Sequence, residues 1–250
     1  MNKYKLKVLT TQISLIILFL FIWELGARFN IINSFIFSSP SKVIITAIDF
    51  IKDGTLAPHI LITLKEVLIS FILGFSISLI ISMLMYMKRF IYDVLDPFLT
   101  MLNSMPKVAL GPIIIIWVGA NNKSIITMAL LINIIVSIIT IYSAFISTDE
   151  NIIKLFKSFK ASKVQILTKA VIPSNIPSII SSLKVNLSLT FIGVIMGEFL
   201  VSKKGIGYLI LYGTQVFNLN LVITGIVILM LLSYLLYELI VLVEKKLPKR

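Results

Sequence analysis

The sequence contains no cysteine and a single histidine, His59. The lack of cysteine rules out disulfides, a thiolate nucleophile and a thiolate metal site. One histidine beside an apolar run builds neither a histidine-based metal centre nor a Ser/His/Asp set. No Gly-x-x-x-x-Gly-Lys-Ser/Thr segment occurs, so the chain lacks the usual loop that cradles ATP phosphates. Gly205-x-Gly207 is a lone pair without the strand–helix context of a dinucleotide site, and reads as a turn. Charge is scarce too. Only 14% of residues are charged, against about 25% in soluble domains. There is no tandem repeat, no low-complexity tract, and the halves do not look like inverted copies, which weighs against a secondary transporter.

What fills the chain is apolar: 58% of its 250 residues, with a mean hydropathy of +1.04. The apolar residues come in blocks, and roughly 20 of them in a helix cross a bilayer. The blocks predict an all-α, polytopic membrane protein in one domain, 1–250, with spans near 8–27, 60–87, 98–120, 125–146, 176–201 and 219–243. The third is interrupted by Pro106 and Lys107. The basic start, Met1 to Lys7, precedes a run longer than a signal-peptide core and without a small-x-small exit, so it reads as a retained first span. The net charge of +12 does not indicate nucleic acid, because the basic residues sit in short gaps between apolar runs.

Those gaps orient the chain. Fourteen Lys and Arg fall at the two termini and in the gaps after spans two and four, against seven on the other side. The bias predicts both termini in the cytoplasm, which six spans satisfy. It also makes the segment 149–175 cytoplasmic.

That segment reads as two short helices. Ser147 and Glu150 have capping-box spacing, and so do Ser162 and Gln165. Ile152, Phe156 and Phe159 follow at helical spacing, with Lys154, Lys157, Lys160 and Lys163 along another flank. Pro173 and Pro177 close the loop and admit span five, since proline is tolerated in a helix's first turn but not in its interior. An amphipathic pair with aromatic knobs and a basic flank suits docking onto a partner; a helix lying on anionic lipid has the same pattern.

The order of motifs resembles the permease subunits of ABC importers, in the sulfonate, taurine, nitrate and thiamine-precursor branch. That family carries a loop of Glu-Ala-Ala, a Gly four residues later and an apolar-Leu-Pro ending. Here Ala161-Ser162, Gln165 and Val171-Ile172-Pro173 agree, as do Pro177 and Leu183-Lys184. Ser39-Pro40-Ser41-Lys42-Val43, Asp96-Pro97, Met105-Pro106, Pro112 with Trp117-Val118-Gly119, Glu198, and Gly205 to Ile210 match further positions, from about Phe35 to Val243. The resemblance implies that the loop 149–171 is the coupling loop. Lys154, Leu155, Phe156, Phe159, Lys160, Ala161, Ser162, Gln165 and Pro173 are then its ATPase-docking residues.

Two departures stand out. Lys154-Leu155-Phe156 replaces Glu-Ala-Ala, and Lys160 replaces the Gly. The Gly position implies a left-handed residue between the short helices, where Lys160 costs roughly 1–2 kcal/mol. The reversal from Glu to Lys154 calls for a co-adapted ATPase surface, the alternative being altered coupling.

Ionisable groups inside spans are expensive and default to functional candidates. Met105, Pro106 and Lys107, at a proline break that suits irregular backbone lining a cavity, are assigned with Lys184 to the translocation path, and the resemblance implies that Glu198 lies near it too. The bland readings are a later start for span three, a snorkelling Lys184 and a Glu198 that reaches water. Glu66 and Lys65, with His59, read as the outer interface of span two. Gly74, Ser78 and Ser82 recur every four residues and read as helix packing.

Taken together, the resemblance implies a non-enzymatic permease subunit in the bacterial cytoplasmic membrane. It implies a second permease copy, a cytoplasmic ATPase that binds the ATP, a substrate-binding protein outside, and no cofactor of the chain's own. The competing reading is an ion- or proton-coupled secondary transporter.

Overall fold

The structure, a computed structural model, describes residues 3–246, and Lys249 and Arg250 of the charge count lie outside them. Among the described residues there is no strand. Five helices are long and apolar enough to cross a membrane, and a bent pair makes up to six spans.

The first of them, α1 (Lys3–Arg28), is apolar on every side and buries only Ala27. Its end is tied down by Glu24, whose carboxylate accepts the backbone N–H of Ser41 at 3.0 Å and its hydroxyl at 2.9 Å. A short α2 (Ser34–Phe37) leads to α3 (Pro40–Lys52). Ser39 caps α3 and Pro40 opens it, where a missing N–H costs nothing. Next, α4 (Leu56–Met87) runs 32 residues, about 48 Å at 1.5 Å per residue.

The third span, expected over 98–120 with an interruption at Pro106 and Lys107, is interrupted there but starts earlier, at Arg89. It is two helices, α5 (Arg89–Ser104) and α6 (Gly111–Val118), joined by a tight turn at Lys107–Leu110 and bent by 90°. Pro106 cannot donate to the helix ladder and pushes Met105 to extended backbone (φ −79°, ψ 139°), which stops α5.

After α7 (Asn122–Ile146) the chain makes the loop between spans: α8 (Glu150–Ser158), then α9 (Lys163–Ile166), which passes through a wide turn at Leu167–Val171 into α10 (Ile172–Ser174). It returns through α11 (Ile176–Val201), a shorter α12 (Ile206–Gln215) and α13 (Leu219–Lys246).

The centre is the trio α4, α7 and α11. Lipid tails are as apolar as leucine, so the association of these helices rests on close packing and interhelical hydrogen bonds. Gly193 and Gly197 supply the first: a Cβ on Gly193 would lie 2.4 Å from the Ala129 Cα, and one on Gly197 2.8 Å from the Ile125 Cα. Around this contact Val67, Leu187, Phe191 and Val194 close the core.

Polar rungs supply the second. Ser78 and Ser82 donate to the carbonyls of Ile134 and Ile138, each at 3.1 Å. The Asn133 amide donates to Thr190 at 2.7 Å, Asn186 to Ser137 at 2.7 Å, and Ser182 to Thr140 at 3.0 Å. The small-residue stripe on α4 is thus a packing surface, as its spacing indicated.

Candidate functional site

The loop begins with a correction to its first cap. Asp149, not Ser147, caps α8, its side chain accepting the Asn151 N–H at 2.8 Å; Ser147 ends α7 instead. Glu150 then pairs with Lys154 at 3.0 Å, one turn on, with both side chains mostly exposed. At the far end of α8, Lys160 has φ +56°. Its N–H donates to the Lys157 carbonyl at 2.9 Å, and the Ala161 N–H reaches back to Phe156 at 3.0 Å. These are the two bonds of a Schellman cap, with Lys160 in the left-handed place usually held by glycine. Two residues later Ser162 and Gln165 form a full capping box: the Gln165 N–H donates to Ser162 at 3.3 Å and the Ser162 N–H to Gln165 at 2.7 Å.

The loop's apolar residues divide into two sets. Ile152, Ile153, Phe156 and Ala161 turn inward onto Ile141, Phe145, Ile166 and Val171, with Phe75 and Leu79 of α4 beside them. Phe159 and Leu155 turn outward, 77% and 54% exposed, with Val164 exposed nearby. Phe156 is therefore not an outward knob, as helical spacing suggested. A periodicity reveals a stripe but not which surface covers it. Pro173 sits in α10. Asn175, which the sequence reading passed over, closes the loop by donating to Thr148 at 2.7 Å and to the Val171 carbonyl at 2.8 Å. Its place just before the Ile176-Pro177 helix start was the available signal.

The five path candidates are not gathered at one point. Met105, Pro106 and Lys107 occupy the break between α5 and α6, where Met105 is exposed and Lys107 donates to the Asn103 carbonyl at 3.2 Å. Lys184 is held by Glu244 of α13 at 2.8 Å and lies over the Tyr237 ring. Glu198 stands on the same helix fourteen residues further along, about 21 Å away at the helical rise.

Glu198 neither reaches water nor lines an open surface; it is fully buried. Its carboxylate accepts the Thr63 hydroxyl at 2.6 Å and the Gly207 N–H at 2.5 Å. Thr63 also accepts the Ile206 N–H at 2.8 Å, and the His59 Nδ1 accepts the Gly205 N–H at 3.0 Å. The His59 ring stacks on Tyr208. Together these groups clamp the turn at Gly205–Gly207 onto α4 and α11. Gly205 has φ +110°, and a Cβ there would lie 2.4 Å from the Glu198 carboxyl. Glu66, expected at the outer interface, is buried, and no donor among the described residues reaches its carboxyl oxygens. It lies one turn after Thr63 on α4, on the face turned to α11.

Among the clefts on the surface are two shallow ones. One, about 310 Å³, lies between Ser34, Lys42 and Asn220. Another, about 360 Å³, is lined by Thr140, Ser178, Ser181 and Ser182 beside Glu244.

Three comparisons bear on this arrangement. The family described as binding-protein-dependent transport system inner membrane component matches residues 70–249. The chain is 30% identical over 218 residues to a probable ABC transporter permease protein of Haemophilus influenzae, covering 87% of this chain and 88% of that one. It is 27% identical over 187 residues to the formylaminopyrimidine transport permease protein ThiX of Halalkalibacterium halodurans, covering 75% and 74%. Its fold is similar to a chain of the MetNI methionine ABC transporter in an inward-facing conformation, with a TM-score of 0.67 at 19% identity over 78% of this chain and 96% of that one. Polytopic helices, a doubly capped loop between α7 and α11, and a family match over most of the chain converge: the protein belongs to the binding-protein-dependent inner membrane components, the permease subunits of ABC importers.

Proposed function

We propose that this permease forms the translocation path for a small solute of the sulfonate, nitrate or vitamin-precursor kind, and that a separate cytoplasmic ATPase drives it through the loop 149–171. The observation that carries the coupling role is the two-sided loop. One face, with Ile152, Ile153 and Phe156, is packed on a cluster built from Ile141 and Phe145 of α7 and from Ile166, Leu167 and Val171 of the loop, against which α4 also packs. The other presents Phe159 and Leu155 outward. A rigid, doubly capped element seated on two spans transmits a push from a partner to those spans. The ATPase binds and hydrolyses the nucleotide, and the permease itself needs no cofactor.

The path candidates are Met105, Pro106 and Lys107 at the 90° break, with Lys184 on α11; Glu198, buried against Thr63 and Gly207, anchors the turn instead. Pairing of Lys184 with Glu244 leaves Lys107 as the cation better placed to meet an anionic solute. A second permease copy covers the exposed apolar residues of α5 and α6, among them Phe98, Met101, Ile116 and Trp117, and a binding protein delivers solute to the outer side. The Lys and Arg distribution supports cytoplasmic termini and a bacterial cytoplasmic membrane, with α5 and α6 counted as one span.

Transport into vesicles tests this reading. Uptake that requires ATP and survives an uncoupler is expected, whereas uptake abolished by the uncoupler without ATP dependence marks an ion-coupled carrier. Cysteine cross-linking from position 159 or 160 to the ATPase tests the docking site.

A further inference from the structure

The outward face of the loop has a chemistry of its own. Phe159, Leu155 and Val164 are exposed, at 77%, 54% and 56%. Lys154, Lys157, Lys160 and Lys163 stand within a few positions of them along the chain and are all exposed. The only acids from 149 to 175 are Asp149 and Glu150, at the start of α8. The pairing of Glu150 with Lys154 is between exposed groups, and such pairs are weak enough to exchange for a better partner.

Resting on the docking reading above, we infer that the occupant of this face is an ATPase subunit whose receiving groove is lined by Asp and Glu around an apolar pocket. Phe159 enters the pocket, and Lys154 and Lys160 select the subunit by charge. Lys160 is held in place for this by its left-handed cap, which aims a cation where glycine would aim none. A groove carrying basic residues opposite Lys154 is rejected by like charge, so the loop discriminates among ATPases of similar shape.

The arrangement does not suit a helix lying on anionic lipid. Such a helix commits its broad apolar face to the acyl boundary. Here that face, Ile152, Ile153 and Phe156, is already covered by the permease core. What remains outward is a small apolar peg with exposed lysines near it in the chain, a shape that fits a groove.

The test is the affinity of the purified permease in detergent for the ATPase subunit of its own transporter, at about 0.05 M and about 0.5 M salt. Lys154→Glu/Lys160→Glu is expected to weaken binding about tenfold or more at low salt and far less at high salt. The milder Lys154→Gln/Lys160→Gln falls between. Phe159→Ala weakens binding alike at both salts. Salt-independent affinity, untouched by the lysine changes but lost with Phe159→Ala, overturns the acidic groove and leaves the docking site standing. Binding unaffected by any of the three variants overturns the docking site as well. Hydrogen exchange in nanodiscs supplies the last arm: protection of 155–164 by anionic lipid, with none from the ATPase, assigns the face to the membrane and overturns the proposal.

Discussion

Glu198 on α11 and Gly207 at the start of α12 are joined by a 2.5 Å hydrogen bond from the Gly207 N–H to the buried carboxylate. The same carboxylate accepts the Thr63 hydroxyl from α4, so one side chain fixes three elements. Its Gln variant places an amide where two donors converge and leaves one of them facing another donor. Glu198→Gln is expected to lower stability by about 2–3 kcal/mol, the cost of a buried unsatisfied donor. Thermal unfolding of the detergent-solubilised permease measures this. Glu66→Gln, which removes a bare buried carboxyl next to that network, is expected not to lower the midpoint.

Gly205 leaves less latitude. A side chain there meets both a positive φ and the Glu198 carboxyl 2.4 Å from the new Cβ. Gly205→Ala is expected to detach the turn: faster proteolysis or hydrogen exchange at 203–208, with the α4–α7–α11 trio unchanged.

The contact of α7 with α11 sets a sharper limit. Gly193 faces the Ala129 backbone, with 2.4 Å between the Ala129 Cα and a built Cβ. Gly193→Leu is expected to abolish folded protein, since backbone cannot move aside as a flexible side chain does. Gly193→Ala is expected to fold with reduced stability. Size-exclusion recovery and unfolding midpoint distinguish the two.

Lys160 trades stability against placement. Lys160→Gly relieves the left-handed strain and is expected to raise stability by about 1 kcal/mol, the ordinary cost of a side chain in that region. The same variant is expected to bind the ATPase less tightly at low salt. A stabilised loop with weaker docking separates the two roles.

Lys184 and Glu244 meet at 2.8 Å with side chains 21% and 37% exposed. In a double-mutant cycle their coupling is expected to be under about 1 kcal/mol, the usual size for a pair reached by water. Uptake by Lys184→Ala measures whether the charge also acts on the solute.

Much of this protein is set by sequence alone. Apolar runs long enough for a bilayer dictate helices, because lipid offers no partner for an unpaired backbone group. Composition therefore placed the spans, and the lysines between them suggested a cytoplasmic loop. The left-handed place of Lys160 was implied only by the resemblance to the permease family, whereas the capping box at Ser162–Gln165 was legible because it depends on residues three positions apart. The packing role of Gly74, Ser78 and Ser82 was legible for the same reason, whereas Gly193-x-x-x-Gly197 carried an equal signal and was passed over.

Tertiary structure decided everything that depends on which helix lies opposite. A carboxylate in an apolar run looks alike whether it reaches water, lines a path or closes a turn. Only the arrival of Thr63 and Gly207 made Glu198 a buried anchor. Only Glu244 gave Lys184 a partner, sixty positions away. Helical spacing gave Phe156 and Phe159 one stripe, and the cluster of Ile141, Phe145, Ile166 and Val171 drew Phe156 inward and left Phe159 exposed. Local chemistry fixes what a segment becomes, while the direction a side chain serves is set by neighbours distant in sequence.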